Sequence, residues 1–261
     1  MPTITTDHGQ QVHYRDHGSD GQPAVLLLHS FFMDGEMFAA QVADFGGEFR
    51  LITMDERAHG GTPADAPFDY WDVAHDALAL LDHLGIARAA VIGTSQGGFI
   101  GMRMALLAPE RVAALALLGT SAAAEAPEVA AAYRQSAAIW AEQGPVDALI
   151  EQTAAICLGG ARHPEWERKW RAYPTEQVLL AIEALAGRDD IVARLPEITC
   201  PALVLHGTDD AAYTVAAAEQ IVAGIPKSEP LVTVERGKHF LSFTNAEAVD
   251  PHLRTFLHAQ L

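Results

Sequence analysis

Apolar and polar positions fall in blocks along this chain, and the blocks change period. Ala24 to Leu28 is a short run without a polar residue, followed by His29. Such a run predicts a buried strand. Arg50 to Met54, Ala89 to Ile92, Val112 to Leu118, Ala202 to His206 and Leu231 to Val234 read the same way, and Gln11 to Arg15 forms a first strand. Between them the spacing turns helical. Tyr70 to Leu84 carries Val73, Ala77, Leu80, Leu81 and Leu84 on one helical face. Met37 to Phe45, Phe99 to Leu107, Val215 to Ala223 and Ala246 to His258 are further helices. Glu56 to Pro67, rich in Gly and Pro, is loop. Strand and helix in alternation predict an α/β fold, with a mostly parallel central sheet flanked by helices.

The alternation breaks from Ser121 to Leu195. No convincing strand occurs there, and the stretch reads as several amphipathic helices separated at Pro145, Gly159-Gly160 and Pro174. The expectation is a core of residues 1–120 and 196–261 with a helical cap inserted near 121–195. Such a cap lies over the carboxyl edge of the sheet, where open parallel sheets bind ligands. The alternative is a second domain unrelated to the site.

Composition narrows the function classes. The chain has 261 residues, 49% of them hydrophobic, enough for one large α/β domain with an insertion. Its formal charge of -17 argues against nucleic acid or an anionic membrane as partner. Cys157 and Cys200 are the only cysteines and make no disulfide scaffold. Met1 to Gly9 lacks an apolar core, so no signal peptide is expected. No apolar run approaches the ~20 residues that cross a bilayer. Cytoplasmic residence is the default expectation, and the oligomeric state is open, a homodimer included.

Candidate chemistry centres on Gly93-Thr94-Ser95-Gln96-Gly97-Gly98, between a strand and a helix. A sharp turn there holds Ser95 at the top of the sheet, and Gly93 and Gly97 leave room for it. A serine hydroxyl needs a base, and the base needs an orienting carboxylate. Of twelve histidines, His239 is the best base, in a polar turn after the last strand. His206 ends a strand and bonds locally, His252 and His258 lie on the terminal helix, and His29 and His59 belong to loops with other duties. Asp209 and Asp210 follow the preceding strand, and composition does not separate them. The backbone N–H of Gln96 starts its helix unpaired and suits a developing oxyanion. The second donor is expected from His29-Ser30-Phe31-Phe32, at the Phe31 N–H. Phe31, Phe32, Trp140, Trp166 and Trp170 are candidate walls of a largely apolar pocket. Asp55, His59, Asp72 and His75 form a metal cluster by composition only, and neither a phosphate loop nor a dinucleotide fingerprint is present. No metal or organic cofactor is expected.

The Ser95 elbow, the Asp55-Glu56-Arg57-Ala58-His59-Gly60 loop, the His-Gly-x-x-Asp block ending at Asp210 and the Gly-Lys-His block at His239 together resemble the α/β-hydrolase fold superfamily. The resemblance spans essentially the whole chain. It implies the hydrolase fold, a lid and a serine-hydrolase mechanism, and its spacing favours Asp210 over Asp209. The Ser30 to Gln41 loop resembles that of 3-oxoadipate enol-lactonases and small esterases. Phe32 departs from it, standing where the lactonase pattern has glycine; Ser30 stands where many hydrolases have glycine, and Ala58 replaces the usual glycine of the Asp-x-Arg-Gly-x-Gly loop. The resulting expectation is cleavage of a small, largely apolar ester or lactone through an acyl-enzyme. Rival readings with the same three residues are a hydroxynitrile-lyase-like enzyme, a perhydrolase and a carbon–carbon bond hydrolase. A non-catalytic ligand-binding protein is a further class, and it predicts a broken triad.

Overall fold

A computed structural model describes residues 2–261. Its strands are β1 (Thr3–Thr5), β2 (Gln11–Asp16), β3 (Ala24–Leu28), β4 (Arg50–Met54), β5 (Ala89–Thr94), β6 (Val112–Leu118), β7 (Ala202–Gly207) and β8 (Val232–Val234). They form one sheet in the order β1-β2-β4-β3-β5-β6-β7-β8. The β1–β2 and β2–β4 pairs are antiparallel, and every other pair is parallel. The α/β-hydrolase fold expected from the sequence is the fold observed.

The unbroken apolar runs have a direct cause. β3, β5, β6 and β7 are buried at every position. Successive side chains point to opposite faces, so Val25 and Leu27 join one core layer while Leu26 and Leu28 join the other. Each fully buried aliphatic side chain contributes about 1.5–3 kcal/mol. One layer receives α2 (Tyr70–His83) and α3 (Gln96–Leu107). Asp69 starts α2 with a capping box, accepting from Trp71 and Asp72 N–H while the Asp72 carboxylate accepts from Asp69 N–H. The other layer receives α1 (Ala39–Phe45) and α10 (Ala246–Gln260).

The helical segment between β6 and β7 holds α4 (Pro127–Gln143), α5 (Asp147–Leu158), α6 (Pro164–Ala172) and α7 (Thr175–Ala186). After β7 come α8 (Val215–Gly224) and the short α9 (Leu241–Thr244). Three boundaries differ from expectation. β1 was not foreseen, since only Ile4 of its three residues is buried. The Met37 helix opens earlier, as a 3-10 turn over Gly35–Phe38 capped by the Asp34 carboxylate. The final helix is preceded by α9, too short to show a period. Among the described residues no helix is long and apolar enough to cross a membrane.

The sheet and α3 meet backbone to backbone. A Cβ on Gly97 lies 2.1 Å from the Leu28 carbonyl oxygen, and one on Gly93 lies 2.3 Å from the Gly97 oxygen. Neither partner is a side chain that swings aside. Gly97→Ala is therefore expected to cost about 3 kcal/mol. Gly47→Ala, which meets nothing within 4 Å, is expected to stay within about 0.5 kcal/mol of the parent. Urea unfolding of both variants checks the contrast.

Candidate active site

Ser95 stands between β5 and α3 with φ 53° and ψ −112°. This left-handed backbone is costly for a residue with a Cβ, by about 1–3 kcal/mol. The surroundings hold it in place. Ser95 N–H donates to the Leu118 carbonyl at 2.9 Å, and Gly97 N–H donates to the His29 carbonyl at 3.0 Å. Thr120 Oγ1 donates to the Ser95 carbonyl at 2.8 Å.

His239 lies in the turn between β8 and α9. Its Nε2 is 2.9 Å from Ser95 Oγ, and its Nδ1 is 2.9 Å from Asp210 Oδ2. A carboxylate only accepts, so the imidazole proton sits on Nδ1 and Nε2 is free to receive the serine proton. Asp210 Oδ1 accepts from Ala212 N–H at 2.8 Å and Tyr213 N–H at 3.0 Å. Burial opposes the Asp210 charge, but the hydrogen bond and charge of His239, with these two amides, outweigh it and hold the carboxyl below its usual range. Asp209 is engaged elsewhere, 2.9 Å from Lys238 Nζ. His206 Nε2 donates to the Tyr213 carbonyl at 3.1 Å, a local bond as expected.

The N–H groups of Phe31 and Gln96 donate to nothing among the described residues. The loop carrying Phe31 rests on a buried polar bed. His29 Nε2 accepts from Glu56 N–H at 2.9 Å and its Nδ1 donates to the Ser30 carbonyl at 2.9 Å, which fixes its tautomer. Gln96 Nε2 donates to Glu56 Oε2, and Tyr70 Oη donates to Gln96 Oε1 at 3.2 Å. Burial pushes the Glu56 carboxyl well above its ordinary range.

Ser95 and His239 open onto a cavity of about 100 Å³ beneath the helical segment. Phe31, Phe32 and Trp140 line it, with Tyr133, Leu149, Ile156, Ile182 and Tyr213. Trp166 and Trp170 do not line this cavity, contrary to expectation. Trp170 is fully buried and its Nε1 donates to the Phe32 carbonyl at 2.8 Å. Trp166, also buried, packs on Phe243 and under Lys169. Two neighbouring tryptophans on one short helix thus serve packing, while Trp140, on α4, stacks beside Phe32 at 5.5 Å. The sequence reading also missed Tyr213, Tyr133 and the Glu56–Gln96 bond. Asp55, Asp72, His59 and His75 do not converge, and no group of three or more ligating side chains fit for a metal occurs among the described residues.

A family model for the alpha/beta hydrolase fold matches residues 23–246. The chain belongs to the alpha/beta hydrolase fold family. The protein of Variovorax paradoxus (strain S110) named as a carbamate hydrolase, RutD, is 30% identical over 256 residues, which are 94% of this chain and 96% of that protein. A thermophilic esterase from Thermogutta terrifontis superposes with a TM-score of 0.88 at 29% identity, covering 99% of this chain and 98% of that one. The enol-lactonase from Burkholderia xenovorans LB400 superposes at 0.89 and 28% identity, covering 98% of this chain and 100% of that one.

Two non-glycine residues near Ser95 stand in backbone conformations that favour glycine. Phe32 has φ 61° and Ala58 has φ 63°. Both backbones are left-handed, each at a cost of about 1–2 kcal/mol. Phe32 is braced by Tyr173, stacked at 5.7 Å, by Trp140 and by the Trp170 bond.

Two buried imidazoles below this loop make stability depend on pH. Burial pulls His29 down to about 4 and His59 down to about 3. Both return to about 6.5 in the unfolded chain. Between these values the unfolded chain binds protons that the folded chain refuses. Their contribution is thus intact above pH 6.5 and is lost as pH falls toward the folded values. Glu56, raised by burial, acts in the opposite direction, so a difference measurement isolates one imidazole. Relative to His59→Gln, the parent is expected to lose about 1.4 kcal/mol more per pH unit between pH 6 and 4.5. Urea unfolding across that range reads it, and parallel profiles would contradict it.

Proposed function

We propose that this protein hydrolyses small, uncharged carboxylic esters or lactones through an acyl-enzyme on Ser95, beneath a helical cap formed by α4–α7. The carrying observation is the hydrogen-bonded line from Ser95 Oγ through His239 to Asp210, each step 2.9 Å. The free amides of Phe31 and Gln96 support the same reading. The named relatives share its chemistry, since carbamates, esters and lactones are all attacked at a carbonyl.

His239 Nε2 takes the Ser95 proton as Oγ bonds to the substrate carbonyl carbon. The carbonyl oxygen becomes an anion and receives the Phe31 and Gln96 N–H groups. Asp210 stabilises the imidazolium and fixes its orientation. The carbon–oxygen bond to the alcohol then breaks, and His239 returns the proton to the leaving oxygen. Water next gives a proton to His239 and its oxygen to the acyl carbon; the carbon–Oγ bond then breaks and His239 returns the proton to Oγ, which frees the acid and restores Ser95. In a lactone the alcohol stays tethered to the acyl group.

Size and charge refine the substrate. The space of about 100 Å³ holds roughly three waters at about 30 Å³ each, so a small substrate fits it best. No Lys, Arg, Asp or Glu lines it. An ionised substituent there lacks a counter-charge, and its burial is costly.

Three measurements test this. Ser95→Ala is expected to lower kcat on ethyl butyrate by roughly 10³-fold or more. A fluorophosphonate adduct is expected on Ser95 of the parent and absent from that variant; a folded parent that takes no adduct overturns the proposal, and a trapped acyl-Ser95 excludes a lyase. Ethyl butyrate is expected to exceed monoethyl succinate in kcat/KM by about 10–100-fold, the effect of about 1–3 kcal/mol. Equal rates would remove the uncharged-substrate assignment.

A further inference from the structure

A buried charged cluster lies where the helical segment leaves and rejoins the core, and the hydrolytic steps do not use it. Glu125 precedes α4 and Arg188 follows α7. Their side chains are 6% and 1% exposed and meet at 3.0 Å. Tyr213, on the loop that follows Asp210, completes the group. Its hydroxyl donates to Glu125 Oε1 at 2.6 Å and accepts from Arg188 Nη1 at 3.2 Å. Arg188 also donates through Nε and Nη2 to the Ala123 carbonyl, at 3.1 and 2.7 Å. Its guanidinium lies 3.8 Å from the centre of the Phe99 ring, on α3. Every donor of the fork that the structure pairs thus faces either the cap entry or Tyr213.

A buried ion pair is weak evidence for stability, because desolvation offsets most of the attraction. What it supplies is direction. Here the direction is toward one hydroxyl, and the residue carrying that hydroxyl touches the catalytic line twice. Tyr213 N–H donates to Asp210 Oδ1 at 3.0 Å, and its ring meets the His239 ring edge-on at 5.4 Å. The same ring lines the substrate cavity.

We propose that Glu125, Arg188 and Tyr213 act as a positioning lock, which couples seating of the helical cap to the orientation of Asp210 and His239. With the cap seated, Glu125 and Arg188 hold the Tyr213 hydroxyl, and the 210–213 loop is fixed. With the cap ends parted, the hydroxyl loses both partners and the loop is free to shift. The lock rests on the assignment of Ser95, His239 and Asp210 to catalysis.

Tyr213→Phe keeps the ring and removes only the hydroxyl. It is expected to lower kcat on ethyl butyrate about 10–100-fold with little change in KM, the scale of a misplacement near 1 Å. The downfield proton resonance of His239 Nδ1–H is expected to shift or broaden in the folded variant. Glu125→Gln is expected to produce a smaller change in the same two readouts, and it decides the matter if Tyr213→Phe does not fold. Parent kcat with an unmoved resonance would overturn the lock, and so would a rise in KM alone, which marks Tyr213 as a wall. If Ser95→Ala retains activity, the hydrolytic assignment fails first. If Ser95→Ala is inactive and the lock variants match the parent, the lock alone fails.

Discussion

Everything at the carboxyl edge of this sheet depends on one contact between backbones. α3 approaches β3 and β5 so closely that no Cβ fits at Gly93 or Gly97. That closeness lets Gly97 N–H reach the His29 carbonyl, at the head of the Phe31 loop. The same turn presents Ser95 and leaves the Gln96 amide without a partner among the described residues. Ser95 and the two amides that have no partner among the described residues are therefore referred to a single point of packing. Main-chain atoms have no rotamers to lose, so the reference point is stiff in a way that side-chain packing is not.

Around that point the polar interior divides by charge. The bed under the Phe31 loop is made of groups that burial shifts toward their neutral forms: two imidazoles pulled below their usual range and a carboxyl pushed above its own. Burial without a counter-charge favours the neutral form of each. On the other flank opposite charges are paired, Arg188 with Glu125 and Arg103 with Asp189. One loop is held by hydrogen bonds among groups shifted toward neutrality, the other by paired charges that fix direction more than they add stability.

Much of this architecture was legible because its causes are local. A strand buried on both faces has to read as an unbroken apolar run, which is why β3, β5, β6 and β7 stood out. β1 did not, since three residues with one buried side chain carry no period. Ser95 and His239 were legible because a strand-to-helix turn and a polar turn beyond the last strand accept few residue types. Asp210 was separable from Asp209 only by family likeness, since the difference lies in which carboxyl Lys238 takes and which the Tyr213 and Ala212 amides take. Trp140 differs from Trp166 and Trp170 through packing alone. Glu125 and Arg188 meet across 63 positions of sequence, a separation at which no spacing rule operates.

Phe32 gives the cavity a property that a glycine there would not. Its backbone is held in a left-handed conformation that few residues accept, its carbonyl is bound by Trp170, and its ring is enclosed by Trp140 and Tyr173. A wall so constrained is already shaped before any substrate arrives. The entropy of ordering it falls on folding, once, and not on each encounter. Under the proposed function, a substrate would meet a preorganised surface that sorts by shape before any bond breaks.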